Sequence, residues 1–228
     1  MDLSQDLFIS SSPPKSTKIN WRKRKLTYII FVYVRIFMNF DTGIIPAAAV
    51  QIKEELNLPF TELAALGSLV NLGIGISCLF TGSLFKFTKP KYLLIFSLIS
   101  NSIFCILFAL SYNLYLLYTA RIFMGFTQAF WIVYAPLWIN NFSPKAYQTT
   151  WIGIFQGFSP LGIIIGYSVT CFITGFGGSW RYSLVVQGIS QLIPLFYFVF
   201  MEHEEIDIEN DEIVNNNQKS TIKVYEII

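Results

Sequence analysis

The stretch LYTARIFMGFTQ, residues 117–128, places a charged side chain inside an otherwise apolar segment. Its arginine, Arg121, lies in the apolar run 114–139, which is long enough to cross a membrane as a helix. A charge at membrane depth costs at least about 2.5 kcal/mol and usually faces the interior of a helix bundle or a water-filled path. Asp41, in the first apolar run, is its candidate partner. The two charges indicate a membrane protein that moves a solute.

The composition of the whole chain also indicates a membrane protein. Hydrophobic residues make up 54% of the 228 residues and charged residues only 13%, whereas a soluble domain carries about 25% charged residues. Lipid offers the backbone no hydrogen-bonding partner, so each apolar run near the required length of roughly 20 residues is expected to be a helix. The sequence predicts an all-α protein with six spans, at about 26–50, 63–85, 91–111, 114–139, 148–174 and 182–201.

The chain divides into three predicted parts. Residues 1–25 are polar and end in a basic cluster, which predicts a disordered cytoplasmic leader. Residues 26–201 form the six-helix transmembrane domain, and the acidic segment 202–228 is expected to be a cytoplasmic tail or linker because it cannot bury enough apolar surface to fold alone. Basic residues are concentrated in the loops on the leader's side, which predicts a multi-pass integral membrane protein with both termini cytoplasmic.

Asp41 and Arg121 are the predicted proton-coupling residues. At a rise of 1.5 Å per residue, each lies about 10 Å inside the outer end of its span, so the two can meet if spans one and four are neighbours. We expect them to face each other across a crevice that solvent reaches. A buried carboxylate beside a guanidinium stays ionised, whereas burial alone favours its protonated form. The alternative is a permanent ion pair that only fixes two helices.

Further polar residues in the spans are candidates for binding the substrate. Arg35 shares a helical face with Asn39, and either binds an anionic group in a central cavity or anchors the span at the cytoplasmic interface. Gln128 lies on the same helical stripe as Arg121. Tyr134 and Gln156 either add polar contacts to the substrate or pack between helices.

Small residues indicate where helices pack or flex. Gly125, one turn after Arg121, allows a neighbouring backbone to approach closely. Span five contains two pairs with the spacing of close helix approach, and a proline between them is expected to bend the helix. The combination suits a helix that must flex or slide while it remains packed. These residues of span five are Gly153, Gly157, Pro160, Gly162 and Gly166.

The sequence does not favour an enzyme. The predicted spans contain no histidine, and no cluster of nucleophile, base or metal ligands is visible in the sequence. The three cysteines all fall in apolar runs, so they predict small buried side chains rather than a disulfide framework. We expect no cofactor, no metal site and no nucleic-acid partner.

These motifs resemble the major facilitator superfamily, specifically its N-terminal six-helix half. Arg121, Gly125 and Gln128 are similar to the motif of its fourth helix, whose arginine is implicated in proton coupling, and the glycines around Pro160 are similar to the motif of its fifth helix. Residues 82–91 lie where the superfamily has the loop motif Gly-x-x-x-Asp-Arg-x-Gly-Arg-Arg. The resemblance implies gating positions at Gly82 and Lys86, but Lys86 replaces the aspartate that helps to latch the cytoplasmic side.

Within the superfamily, residues 39–46 and 180–182 look most like Spinster-type transporters. In those proteins an acidic residue on helix one pairs with the arginine on helix four, which implies the pair Asp41 and Arg121. Spinster-type proteins move lipids, including lysophospholipids and sphingoid compounds. The resemblance therefore implies a lipid-like or organic anionic solute and a secondary transporter that is proton-coupled or facilitative.

The resemblance covers about 25–201, which corresponds to one half of the superfamily's fold. Alternating access moves two halves around a central site, so we expect the chain to be a truncated transporter that needs a second six-helix half or another copy as partner. The alternative is a non-transporting half-length protein that assembles with a full-length transporter or regulates it. Its other expected partners are the lipid bilayer and the substrate.

Overall fold

The apolar runs of the sequence fold as helices, which confirms the all-α prediction. The structure, a computed structural model, describes residues 21–201 and Ile206. In that part of the chain six segments are long and apolar enough to cross a membrane. The helices are α1 (Trp21–Ala47), α2 (Ala49–Leu56), α3 (Phe60–Phe87), α4 (Pro90–Leu110), α5 (Leu114–Phe142), α6 (Gln148–Gly175), α7 (Arg181–Ser190) and α8 (Leu192–Phe200).

The largest difference from the predicted spans is at the beginning of α1. The helix begins at Trp21 rather than at residue 26, so the basic cluster 22–25 belongs to the helix and not to a disordered leader. Lysine and arginine are good helix formers, and their long stems let the charges reach water while the backbone stays helical. The first 20 residues of the predicted leader lie outside the described residues.

Most of the predicted tail, 202–228, also lies outside the described residues. Ile206 is described, and it is fully buried against the bundle. The chain therefore contacts the helices again at Ile206. A solvated acidic tail, which the sequence predicts, would not make this contact.

Local chemistry accounts for the short connections between helices. Asn57 ends α2 with a φ of 51°, a left-handed conformation that asparagine tolerates better than most residues. Pro90 begins α4, where its missing N–H is not needed. The Asn113 side chain accepts a hydrogen bond of 2.9 Å from the Tyr115 amide at the beginning of α5. Span six consists of α7 and α8, which are separated at Gln191.

The spans pack in pairs rather than in chain order. The most extensive interfaces are those of α1 with α6 and of α3 with α5, and α4 packs against α5, α7 and α8. On α6, a β-carbon at Gly162 or Gly166 would collide with the backbone of α1. On α5, a β-carbon at Gly125 would collide with the backbone of Val70 on α3. Glycine at these positions therefore sets how closely the paired helices approach.

Candidate functional site

Asp41 on α1 and Arg121 on α5 form a buried ion pair. The Arg121 Nη1 donates to Asp41 Oδ2 at 2.5 Å, and Nη2 donates to the Asp41 backbone oxygen at 3.3 Å. The exposed fraction of the side chain is 0% for Asp41 and 1% for Arg121. Each of these two helices packs chiefly against another partner. The structure thus brings together the two charges that the sequence analysis paired, although their role stays a prediction.

The surroundings of the pair are apolar and closed. The Arg121 guanidinium lies over the Phe108 ring, with 4.6 Å between Cζ and the ring centroid. Phe40, next to Asp41, and Met124, about one turn after Arg121, are buried in the same hydrophobic cluster as Phe108. The expected solvent-reachable crevice between the charges is wrong for this conformation, because both side chains are buried and are enclosed by apolar residues and the Gln128 amide. Solvent reaches the pair only if the helices move.

Gln128 belongs to the ion pair. Its Nε2 donates to Asp41 Oδ1 at 3.4 Å, and the Gln128 side chain is buried. Gln128 lies two turns after Arg121 on the same face of α5. The two Asp41 oxygens therefore accept from different side chains, one from Arg121 and one from Gln128. The structure places Gln128 beside Asp41 rather than among the other substrate-binding candidates.

Three of those candidates meet at the interface of α1 and α6. The Arg35 Nη2 donates to Gln156 Oε1 at 3.1 Å. The Asn39 Nδ2 donates to the Arg35 backbone oxygen at 2.8 Å, and Asn39 Oδ1 accepts from Ser159 at 2.9 Å. Gln156 is exposed and Arg35 is partly buried, with its guanidinium 5.4 Å from the Phe155 ring centroid. We call Arg35, Asn39, Gln156 and Ser159 the α1–α6 polar patch.

Tyr134 lies in neither group. Its hydroxyl donates to the Ile206 backbone oxygen, and its ring packs against Phe85 with 4.9 Å between centroids. Almost two turns separate Tyr134 from Gln128 along α5. The structure places Tyr134 where the chain returns to the bundle after α8.

The glycine candidates divide into packed and open positions. Among the described residues no atom lies within 4 Å of a β-carbon built at Gly82, Gly153 or Gly157. The expectation that Gly153 and Gly157 form a close-approach pair is therefore wrong within the described chain, because that face of α6 turns away from α1. The α6 helix continues through Pro160, which is exposed, and Lys86 is exposed near the end of α3.

Sequence reasoning missed a buried polar network between α4, α5 and span six. The Asn101 Nδ2 donates to Thr127 Oγ1 at 2.9 Å, and Asn101 Oδ1 accepts from Gln191 Nε2 at 2.7 Å. Ser102 donates to Gln191 Oε1 at 3.1 Å. Amide side chains inside apolar runs are the signal that would have found these residues, by the same reasoning that found Arg121.

A second ion pair, at the end of the bundle where α2 ends and α7 begins, was also missed. The Arg181 Nε donates to Glu55 Oε1 at 2.9 Å, and Trp180 Nε1 donates to Glu55 Oε2 at 2.8 Å. The Arg181 Nη1 also donates to the backbone oxygens of Ala109 and Ser111, at 2.5 and 2.7 Å. This pair borders an open cavity of about 870 Å³. Glu55 lies after residue 50, where the first predicted span ends, so the apolar runs of the sequence did not include it.

Comparison with known proteins shows what the chain is similar to. Residues 30–223 match the family model of the Major Facilitator Superfamily. The chain is 27% identical over 147 residues to the probable sphingolipid transporter spinster homolog 1 of Arabidopsis thaliana, covering 64% of this chain and 30% of that protein. It is 26% identical over 185 residues to the hexuronate transporter of Bacillus subtilis strain 168, covering 80% of this chain and 43% of that protein.

Solved structures include a similar fold. The proton:xylose symporter XylE, solved with bound 6-bromo-6-deoxy-D-glucose, superposes with a TM-score of 0.60 at 15% identity, covering 78% of this chain and 44% of that one. A likeness at this identity concerns the fold alone. The chain spans less than half the length of these relatives.

Proposed function

Since the chain belongs to the Major Facilitator Superfamily, we propose that it acts as the N-terminal six-helix half of a proton-coupled secondary transporter. In this proposal the solute is lipid-like or an organic anion. The observation that carries the proposal is the ion pair of Asp41 and Arg121, buried to 0% and 1% exposure inside a membrane-spanning bundle.

The energetics of the ion pair support a functional role. Removing two charges from water costs several kcal/mol per ion, and an apolar contact of the same volume often stabilises as well or better. Small residues already join the neighbouring helix pairs α1–α6 and α3–α5, so a charge pair is not needed to hold helices together. Asp41 lies on α1, which packs mainly against α6, and Arg121 lies on α5, which packs mainly against α3. A change in the charge of Asp41 can therefore alter the contact between α1 and α5.

The proposed coupling follows from the charge states of Asp41. The ionised carboxylate is held by Arg121 and Gln128, which keeps α1 and α5 joined. Protonation removes most of the attraction to the guanidinium, so the two helices can separate and admit water or solute. This closed conformation is then the ionised, occluded state of the coupling site.

The α1–α6 polar patch supports an anionic solute. Arg35 lies at the open face of the bundle and offers a guanidinium that Gln156 and Phe155 orient. A guanidinium recognises carboxylate and phosphate oxygens through paired hydrogen bonds. The name of one relative fits the same chemistry, since a hexuronate is an anion, and the name of another, a probable sphingolipid transporter, fits a lipid-like solute.

The proposal includes a second six-helix unit and a defined orientation. Gly153 and Gly157 leave an exposed, side-chain-free strip on α6 beside Gln156, and such a strip suits a second unit or another copy of the chain across a shared path. Both termini are proposed to be cytoplasmic, which the basic residues at the beginning of α1 support.

The proposal is tested by transport in proteoliposomes that contain the chain together with the six-helix unit that co-purifies with it. Labelled lysophospholipid and labelled hexuronate are offered with and without an imposed pH gradient. We expect the pH gradient to drive accumulation of one of them, and Asp41→Asn to abolish that dependence. Glu55→Gln, at the other ion pair, is the matched control and should keep it.

Two results would contradict the proposal. Uptake that is equally dependent on the pH gradient in Asp41→Asn removes the coupling role. Absence of flux in every preparation, together with inhibition of a full-length transporter that co-purifies with the chain, supports the regulatory alternative instead.

A further inference from the structure

Span six reaches the ion pair through Gln187. This glutamine lies on α7, is fully buried, and donates from Nε2 to the Phe37 backbone oxygen of α1 at 2.9 Å. Phe37 is one helical turn before Asp41. This hydrogen bond fixes the Gln187 amide to the turn of α1 that precedes the Asp41 carboxyl. Asp41 is therefore hydrogen-bonded from α5 by Arg121 and Gln128, and the turn of α1 before it is hydrogen-bonded from α7 by Gln187.

The Gln187 side chain has an unused acceptor. Its Oε1 is buried and has no hydrogen-bond partner among the described residues. A buried oxygen without a hydrogen-bond partner is unfavourable, so such groups in native structures need an explanation. Gln191, one turn further along span six, shows the usual arrangement, because its Nε2 and Oε1 are both bonded, to Asn101 and to Ser102.

We propose that Gln187 is a positioning residue for Asp41 that serves both charge forms of the carboxyl. A primary amide has N–H donors for an ionised carboxylate and an oxygen acceptor for the O–H of a protonated one. One amide N–H fixes the Gln187 side chain to the turn before Asp41 in the closed conformation, and the buried Gln187 oxygen, which has no partner among the described residues, becomes satisfied when Asp41 takes up a proton. Span six is thereby tied to the charge state of span one. This inference rests on the proposed coupling role of Asp41.

The groups that face the Asp41 carboxyl define what else can influence it. Arg121 approaches from α5, and the Cys105 thiol lies nearby on α4. Gln128 and Gln187 are the amides that approach from α5 and α7. Because Gln187 is uncharged, removing it changes hydrogen bonding to the carboxyl without changing the net charge of the site.

Infrared spectroscopy of the reconstituted chain tests the proposal without requiring transport. The Asp41 carboxyl band is identified by its loss in Asp41→Asn, and its position and pH dependence are then compared in Gln187→Met and Gln191→Met. Methionine keeps the length and the packing volume and removes the hydrogen bonds. We expect Gln187→Met to shift the band and to change its pH midpoint, because both charge forms of the carboxyl lose an amide partner that they bind differently.

Gln191→Met is the matched control for altered packing in span six. It should lower thermal stability, because Asn101 and Ser102 lose their partner, and leave the Asp41 band unchanged. An Asp41 band with unaltered position and midpoint in Gln187→Met overturns the proposal. If the band shifts in Gln187→Met but uptake proves independent of the pH gradient, the coupling role fails and the positioning contact stands.

Discussion

The molecule contains two arginine–carboxylate pairs that differ in depth. Asp41 and Arg121 lie inside the bundle with exposures of 0% and 1%, whereas Glu55 and Arg181 lie at its end with exposures of 32% and 12%. The inner arginine relies on one carboxyl group and one backbone oxygen, and its Nε has no partner in the described structure. The outer arginine also donates to two backbone oxygens near the end of α4.

This difference distinguishes an arginine that stabilises the fold through several contacts from an arginine that depends on a single carboxyl group. At the end of the bundle, Arg181 satisfies carbonyl groups that the last turn of a helix leaves free, so it stabilises the fold even without its carboxylate. Inside the bundle, Arg121 depends on one carboxyl group, and the pair is stable only while that group is ionised. We therefore assign the proposed proton coupling to the inner pair.

The largest effect is expected when the inner pair is broken. Asp41→Ala leaves the Arg121 charge buried without a partner, and we expect the free energy of unfolding in detergent to fall by about 3–5 kcal/mol. Chemical unfolding followed by circular dichroism measures this loss.

The double variant Asp41→Leu with Arg121→Met sharpens the interpretation. It replaces the pair by apolar side chains, so it should recover most of the stability lost in Asp41→Ala, while pH-driven uptake stays absent. Recovery of pH-driven uptake along with stability would mean that the pair is only a structural lock.

An intermediate effect is expected where α6 supports the inner pair. A β-carbon at Gly166 would collide with the backbone of Phe40, the residue before Asp41. Gly166→Ala must therefore displace α1, and we expect it to lower stability by about 1–3 kcal/mol, measured by chemical unfolding in detergent. Gly157→Ala, at an open position of the same helix, should be neutral or stabilising by up to about 1 kcal/mol. Equal losses in the two variants would show that α6 does not position Asp41.

Much of the fold could be predicted from the sequence because membrane spans depend on local composition. The six apolar runs and their short connections gave spans within a few residues of the helices. The helices extend beyond these runs where polar residues continue the backbone hydrogen bonding, as at Trp21–Lys25 and in α2. Hydropathy does not report such extensions, since it measures burial in lipid and not helix formation.

The ion pair was predictable because a charge in hydrocarbon needs a partner, and Asp41 stood at a matching depth. The network of Asn101 and Gln191 carries a weaker version of the same signal, since an uncharged amide has many acceptable partners. The closure around Asp41 and the roles of Gly153 and Gly162 depend on which face of each helix meets a neighbour. Spacing along one helix does not determine that choice.

The outer pair should tolerate loss of its carboxylate better than loss of its guanidinium. Arg181→Met removes the donors to Ala109 and Ser111, and we expect stability to fall by about 1–3 kcal/mol. Glu55→Gln keeps an oxygen that can accept from Trp180 or Arg181, and its cost should be below about 1 kcal/mol. Thermal unfolding of the two variants in the same detergent measures the difference. A larger loss in Glu55→Gln would show that the ion pair, rather than the carbonyl contacts, stabilises this end of the bundle.

The smallest effect concerns salt. Raising the ionic strength from 0.1 to 1 M shortens the screening length from about 10 Å to about 3 Å, but only for charges that solvent reaches. The stability difference between the wild type and Glu55→Gln should therefore shrink by a few tenths of a kcal/mol, within the range measured for exposed pairs. The difference between the wild type and Asp41→Asn should stay constant, because no solvent lies between Asp41 and Arg121 in the closed conformation. If the second difference falls with salt as well, water enters the inner site in the resting protein, and the open crevice expected from the sequence is the dominant state.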